Sequence, residues 1–478
     1  YGENPGDLIG GCATAAGSFR LADEDFTYII GDNTVGYEFI PADSVNYEKV
    51  SGSITVQITE RAKFSVNAEK VVVRVTAQDG TVLSAVNGVY ELDGISEYNW
   101  QTVCSGYVTQ TGTLNSGGGI IKVNLIKAGT QPAEVNSDWF NFRNNPYNMG
   151  ITSAPTPKEG KLLWEKKVAS GWSDAPSFQI IVDDGLIVMA GKSIIKYDLE
   201  TGDELLRGTM VAATNWGYPP ATYAEGMIFA PLSGGRIQAF NAETLESLWI
   251  YQDPLGGQSL SPISYSEGYI YTGFWNSEVK DANFVCLSVT DEDTECPDEA
   301  KVAAWTYTQK GGFYWAGSAV VGDAVIVGTD NGVSDYTSAG SKLISFNKLT
   351  GEIISELALT GDQRSSIAYD EDSGKIYFTG KNGILYRAEV KTDGSIVNLE
   401  GKELIEGKQS ISTPVVHNGR IYLGLGGGVG SAGVIAVVSA DDLSLIYTAP
   451  LKAYPQCSVL VSTAYEKETG KVYIYTTY

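Results

Sequence analysis

Histidine is nearly missing: His417 stands alone among 478 residues. Triads built on imidazole, multi-histidine metal sites and histidine acid/base pairs are therefore excluded as the basis of function. Cysteine is scarce too. The five thiols Cys12, Cys104, Cys286, Cys296 and Cys457 form no CxxC motif and no adjacent pair, which leaves no cysteine-rich zinc site or thioredoxin-like motif. Cys286 and Cys296 flank an acidic stretch and are close enough in sequence to be bridged, but five free thiols are the favoured expectation. Basic residues are also in deficit, with Lys plus Arg at 33 against Asp plus Glu at 57 and a net charge of −24. So acidic a surface repels phosphate backbones and anionic headgroups, so neither nucleic acid nor a membrane surface is expected as a partner. No apolar run reaches the length of a membrane-spanning helix, and no transmembrane segment is expected. Amphipathic helical patterns are almost absent. The first residues, YGENPGDLIGGC, show no basic and apolar leader pattern. A mature or trimmed secreted chain reads the same way, so the compartment has to be argued from architecture.

What is abundant is glycine, 55 residues, and tyrosine, 28. They fall in a pattern. A glycine followed at once by an apolar strand recurs as GLIVMAG from Gly185, GMIFAPL from Gly226, GYIYTGF from Gly268 and GDAVIVG from Gly322. It returns as GKIYFTG from Gly374, GRIYLGL from Gly419 and GKVYIYT from Gly470. The spacing is roughly 40 to 55 residues, the period of a propeller blade. Each period repeats one internal order. A small or proline-containing approach leads into a first strand, a tight turn carries the repeated glycine, a third strand ends in a polar turn, and an outer strand follows. Four short antiparallel strands cannot bury both faces of their sheet alone, so the units must stack around an axis.

The expected fold is therefore all-β: a β-propeller of seven blades, or eight, each four-stranded and antiparallel, over residues 161–478. The last unit stops after GKVYIYTTY, before a third strand. Residues 161–168, GKLLWEKKV less its glycine, read as an outer strand that closes this last blade by pairing the two ends of the chain. Upstream, alternation in GSITVQITE, KVVVRVTAQDG, VYELDG, SGYVTQTG and IIKVNLIKAG predicts an N-terminal β-sandwich over residues 1–128, with its core at 50–128. Residues 1–49 add a strand, DFTYIIG, or an arm. Residues 129–160 are a linker, or a segment lying across the propeller.

The stretch DWFNFRNNPYNMGITSAPTPKEGKLLWEKKVASG from Asp138, followed by YDLETGDELL, resembles the start of the quinoprotein alcohol-dehydrogenase-like, or PQQ-like, propeller repeats. The resemblance spans about residues 138 to 478. It implies a fold shared by dehydrogenases and by non-enzymatic scaffold and assembly proteins, and it does not choose between them. The upstream region is similar to immunoglobulin-like or carboxypeptidase-regulatory-like sandwich modules.

Trp164, Trp249 and Trp305 fall at the outer-strand position of their units, where the tryptophan of this repeat family packs between blades. A second set lies just before the innermost strand, facing the mouth of the channel: Trp172, Trp216, Tyr218, Phe313, Tyr314 and Trp315. Arg364 and Gln409 hold the same position in later units. Aromatic faces around one cavity suit a sugar or a planar ligand. The family's enzymes hold PQQ with calcium against a ring made by two adjacent cysteines. This chain has no such pair and a shorter propeller, so no cofactor is expected. The acidic run at 290–299 lacks an EF-hand glycine and reads as solvated surface. GLGGGVGSAG at Gly424 has no following helix to hold an anion and reads as a long hairpin. His417 sits in a turn and is expected to be exposed. The functional expectation is a bacterial, secreted or cell-surface protein that recognises a protein partner or a glycan without catalysis. The alternative is a divergent propeller enzyme, quinone-dependent or polysaccharide-cleaving.

Overall fold

The computed structural model describes residues 15–23, 31–58, 60–67, 71–78, 81–93, 96–104, 110–114, 119–123, 125, 139–157, 159–169, 176–214 and 219–478. The chain forms two compact units, residues 1–132 and 133–478.

In the first unit, strands Gly17–Leu21, Gly31–Pro41 and Val50–Ile58 form an antiparallel meander. Most of DFTYIIG lies outside the described residues. A sheet of Glu60–Val66, Val89–Leu92 and Gly119–Val123 shares one apolar cluster with a sheet of Val72–Ala77, Val82–Leu83, Tyr98–Val103 and Gln110–Leu114. Ala62, Tyr90 and Leu92 from the former meet Val75, Tyr98 and Leu114 from the latter. The rings of Phe64 and Trp100 lie 5.5 Å apart across that cluster, edge to face.

The second unit is a β-propeller. Its first sheet runs Ile180–Val182, Gly185–Ala190, Ser193–Asp198 and Glu204–Thr209, inner strand to outer. The second runs Thr222–Ala224, Met227–Leu232, Arg236–Asn241 and Ser247–Gln252, with Glu299–Lys301 added in parallel on the outside. The third is Ser264–Ser266, Tyr269–Gly273, Asp281–Ser288 and Trp305–Lys310, and the fourth Ala319–Val321, Ala324–Gly328, Ala339–Asn347 and Ile353–Thr360. The fifth is Ala368–Asp370, Lys375–Thr379, Ile384–Val390 and Ile396–Glu403, and the sixth Val415–His417, Arg420–Gly426, Gly433–Ser439 and Leu445–Leu451. The seventh has only Ile151–Thr152, Leu460–Ser462 and Tyr473–Tyr475 among the described residues.

Local chemistry explains the hairpins. In Glu225–Gly226, Glu267–Gly268 and Asn418–Gly419 both residues have positive φ, the two-residue turn whose twist suits a right-twisted hairpin. The first sheet of the propeller differs from the sequence expectation. There Asp183 and Asp184 take the positive φ values, and Gly185 is already in the strand. Its hydrogen is needed for space: a Cβ at Gly185 would stand 2.1 Å from the Lys196 side chain.

Apolar clusters join each sheet to the next. Phe240, Ile228 and Met189 link the first two sheets, Trp249, Phe229 and Val285 the second pair, and Phe284, Trp305 and Phe346 the third. The outer tryptophans also fasten neighbours through a hydrogen bond. The Trp249 indole N–H donates to Val289 O of the third sheet at 3.1 Å, and that of Trp305 donates to Lys348 O of the fourth at 3.0 Å. Trp164 does the same to Leu199 O of the first sheet at 3.1 Å.

Ring closure departs from the sequence reading. Residues 161–168 do hold an outer position, as Trp164 shows, but they form no strand. The two ends pair instead on the inner edge, where Ile151–Thr152 runs parallel to Val461–Ser462. Residues 139–152, placed by sequence in the linker or across the propeller, lie along the inner strands. Trp139 exchanges backbone hydrogen bonds with Ile181, Phe140 O accepts from Tyr223 N–H, and Tyr147 O accepts from Tyr369 N–H. The Asn148 side chain donates to Ser318 O and Ile367 O, both at 2.9 Å. Arg143, buried at φ +64°, donates to Val459 O, Asn148 O and Met149 O. Burial pushes its guanidinium down to about 9. Gly150 must be glycine here, because a Cβ would meet the guanidinium at 2.0 Å.

Trp249→Ala is expected to lower stability by about 3–5 kcal/mol, through lost burial and a cavity between the second and third sheets. Urea unfolding followed by fluorescence measures it; a loss below about 1 kcal/mol would contradict this packing role.

Candidate functional site

At one end of the propeller, two kinds of loop converge: those leading into each inner strand, and those joining the second and third strands. They are neighbours by construction. Gln258 bridges to Trp275, Gln363 to Gly380 and Gln409 to Gly426 through isolated backbone pairs. In the third, fifth and sixth sheets the approach loop thus lies against the end of that sheet's second strand.

Arg364 stands at the centre of this end. Its NH2 donates to Asp330 Oδ2 and Asp362 Oδ2, each at 2.7 Å, and to Glu278 Oε2 at 2.5 Å. Its Nε reaches Asp330 Oδ1 at 3.3 Å, completing a two-point grip on that carboxylate. Three sheets supply the acids: Glu278 from the third, Asp330 from the fourth and Asp362 from the loop leading into the fifth. Asp330 and Asp362 are fully buried. Asp362 is also fixed by the Asn331 N–H at 2.8 Å. Burial pushes both Asp330 and Asp362 upward, opposed by the charge of Arg364. Burial would lower the guanidinium, but Asp330, Asp362 and Glu278 outweigh it and hold Arg364 charged.

Around this ion cluster lies an aromatic and cationic rim. Tyr314 stacks on Trp275 at 4.6 Å and on Trp315 at 4.3 Å, and the Arg364 guanidinium sits 4.5 Å from its centroid. The Trp275 indole N–H is buried and has no hydrogen-bond partner among the described residues. Lys381 lies between the rings of Tyr336 and Tyr454, at 5.6 and 5.7 Å. Burial, with the like charge of Arg364, brings its amine down to about 8. Gln409 donates from Nε2 to Tyr336 Oη at 3.1 Å.

The predicted residues divide accordingly. Tyr314, Trp315, Arg364 and Gln409 do meet here. Phe313 does not. It is 0% exposed, packed against Phe284 at 5.3 Å as part of the core between the third and fourth sheets, because its side chain points into the sheet stack rather than the mouth. Tyr314 is only 7% exposed, its ring hemmed by two indoles and a guanidinium. Trp172, Trp216 and Tyr218 lie outside the described residues. Sequence reasoning missed Glu278, Asp330, Lys381 and Trp275. A signal existed: Trp275, Asp330 and Lys381 all come within two residues of the end of a second strand, the position that faces the approach loops.

Other candidates resolve away from the site. The acidic run folds over Lys301, whose amine pairs with Glu292 at 3.2 Å and Glu299 at 3.6 Å and lies 5.5 Å from the Trp249 ring. Cys286 is buried, its thiol pushed up to about 12, while Cys296 is exposed and free. His417 is half-buried, not exposed as expected, and its Nε2 lies 2.8 Å from Glu466 Oε2. Among the described residues, Glu278, Asp330 and Asp362 form the one acidic group close enough to share a cation. Arg364 already occupies that position.

Residues 148–280 match the family model of the outer membrane protein assembly factor BamB. No curated protein matches the chain in sequence. Among solved structures, the fold is similar to a europium-containing methanol dehydrogenase, at TM-score 0.52 and 10% identity over 71% of this chain and 85% of that one. It is similar also to the quinohemoprotein alcohol dehydrogenase of Comamonas testosteroni, at TM-score 0.51 and 11% identity over 72% of this chain and 77% of that one. These likenesses establish the PQQ-type β-propeller fold.

Arg364→Leu is expected to cost about 3–5 kcal/mol at pH 7, since it strands buried carboxylates without a cation. Removing the cation raises the folded-state pKa of Asp330 and Asp362 still further. Their protonation then favours the folded variant at low pH, so the deficit shrinks as pH falls from 7 towards 4. Urea midpoints of both proteins across that range test this; a deficit independent of pH would contradict it.

Proposed function

We propose that this chain is a non-catalytic, extracytoplasmic bacterial binding or scaffold protein that docks a protein partner at the propeller mouth. The observation that carries the reading is Arg364 bridging Asp330, Asp362 and Glu278. Carboxylates that would have to act as acids, bases or cation ligands are engaged by a guanidinium from the loop into the fifth sheet. What remains accessible is a half-buried rim of Trp275, Trp315, Tyr336, Lys381 and Gln409, the mixture of aromatic and cationic groups that anchors protein interfaces. The assembly-factor match over residues 148–280 supports a protein as the partner. A glycan is the weaker choice because Phe313 and Tyr314 spend their faces inside the protein. The first unit, two of whose sheets share one apolar core, is in this reading an immunoglobulin-like module.

The same geometry argues against PQQ with calcium. A cation would have to displace Arg364, and the stacked rings of Trp275, Tyr314 and Trp315 leave no slot for a planar cofactor between them.

A photo-crosslinking residue at Tyr336, in cells of the source organism, is expected to give discrete adducts with one envelope protein, lost when Lys381→Glu is added. Thermal unfolding with PQQ and calcium is expected to show no shift. A ligand at a hundred times its Kd adds about 2.7 kcal/mol, so a clear rise with PQQ and calcium would revive the dehydrogenase and overturn this proposal.

A further inference from the structure

A charge taken out of water needs an opposite charge or a set of hydrogen-bonding oxygens beside it. The buried cations among the described residues, Arg143, Lys301, Lys348 and Arg364, obey this rule. Arg143 donates to three carbonyl oxygens, and Lys301 pairs with Glu292 and Glu299. Lys348 pairs with Glu267 and donates to Gly322 O, both at 2.9 Å, and Arg364 meets three carboxylates. Lys381 does not follow them. Among the described residues its amine makes no hydrogen bond and no ion pair, and its neighbours are the rings of Tyr336 and Tyr454.

The acids of the mouth do not supply the missing partner. Glu278, Asp330 and Asp362 each give an oxygen to the Arg364 NH2, at 2.5 to 2.7 Å. Burial and the charge of Arg364 lower the Lys381 amine by more than those acids raise it. A ring face returns only part of what the lost hydration shell provided.

Two further donors at this end are buried with no acceptor among the described residues, the Trp275 N–H and the Tyr454 O–H. Tyr454 is 4% exposed, and its ring is the one 5.7 Å from the Lys381 amine. Burial pushes its phenol upward, so the hydroxyl keeps its proton and remains a donor. A cation and a hydroxyl side by side thus lack an oxygen that the described residues do not provide.

From this we infer that Lys381 is the anchor for one acidic side chain, aspartate or glutamate, of the protein partner. The inference rests on the reading of the mouth as a protein-docking site. A carboxylate against the ammonium forms a charge-assisted hydrogen bond and gives the amine the oxygen it lacks. The rim of Trp275, Trp315 and Tyr336 favours aromatic or apolar residues on either side of that acid. A run of acids or a phosphate polymer is disfavoured, because the chain as a whole carries a net charge of −24 and repels it. A single carboxylate in direct contact with Lys381 feels that distant charge weakly, since salt screens it beyond about 8 Å.

The test uses the full chain and the peptide acetyl-Gly-Trp-Glu-Trp-Gly-amide, capped so that the glutamate is its one charge, with the glutamine peptide as control. Titration calorimetry at neutral pH is expected to show saturable binding of the glutamate peptide, about tenfold tighter than the glutamine peptide. Lys381→Met is expected to erase that preference and Lys381→Arg to keep it. Lys381→Met removes a cation with no oxygen partner, so Tm is expected to stay the same or rise. Lys348→Met strands Glu267 and is expected to lower Tm by about 5 °C or more.

No binding of the glutamate peptide at about millimolar concentration, or equal affinity for the two peptides, overturns the inference. So does a preference that survives Lys381→Met, or a Tm loss in Lys381→Met equal to that in Lys348→Met. If a photo-crosslinking residue at Tyr336 still gives discrete adducts under any of these outcomes, the docking site stands and only the acidic anchor falls. Absence of adducts removes the docking reading, and the inference with it.

Discussion

A four-stranded sheet of this protein has two apolar faces, and neither can be left to water. That constraint governs the rest. Each sheet solves it by lying against the next, and the cores run pairwise through the series: first with second, second with third, on to the sixth with the seventh. Only a ring gives every sheet two neighbours. The tryptophans of the outer strands add direction to this packing, since each indole combines a large apolar surface with one N–H donor aimed at a fixed carbonyl of the following sheet.

A ring creates an axis, and the axis has its own polar groups to satisfy. Residues 139–152 do this work, engaging inner strands of the first, second, fourth, fifth and seventh sheets by backbone groups and by Asn148. Arg143 is held there by carbonyl oxygens at the loop into the seventh sheet. At the end where approach loops meet second-strand ends, the axis carries the Arg364 cluster. Its acids come from different sheets, so the ion cluster ties the third, fourth and fifth sheets together at the mouth. The same geometry pairs all three acids with one guanidinium.

The seventh sheet brings Ile151–Thr152 beside Leu460–Ser462 and Tyr473–Tyr475. Trp164 meets the first sheet, Val459 and Val461 meet the sixth, and among the described residues the seventh sheet has three strands.

Strand, turn and blade were written locally and could be read directly. Alternation has a period of two, the two-residue turns need residues that accept positive φ, and both signals lie within a few positions of the structure they specify. The repeat period then required stacking, because no single unit could bury its faces. So the sequence by itself determined an all-β propeller, its turns, and the role of Trp164, Trp249 and Trp305. Tertiary structure alone decided the site. Arg364 meets Glu278 across 86 positions and Gln409 meets Tyr336 across 73, and no local pattern encodes such contacts. It also decided that Phe313 is core while its neighbours Tyr314 and Trp315 belong to the mouth, since adjacent residues point to opposite sides and only the position of the next sheet tells which side is water. The ends of the chain followed the same rule. The sequence asked for a closing partner, and the structure supplies it on the inner edge at Ile151–Thr152, while residues 161–168 form no strand.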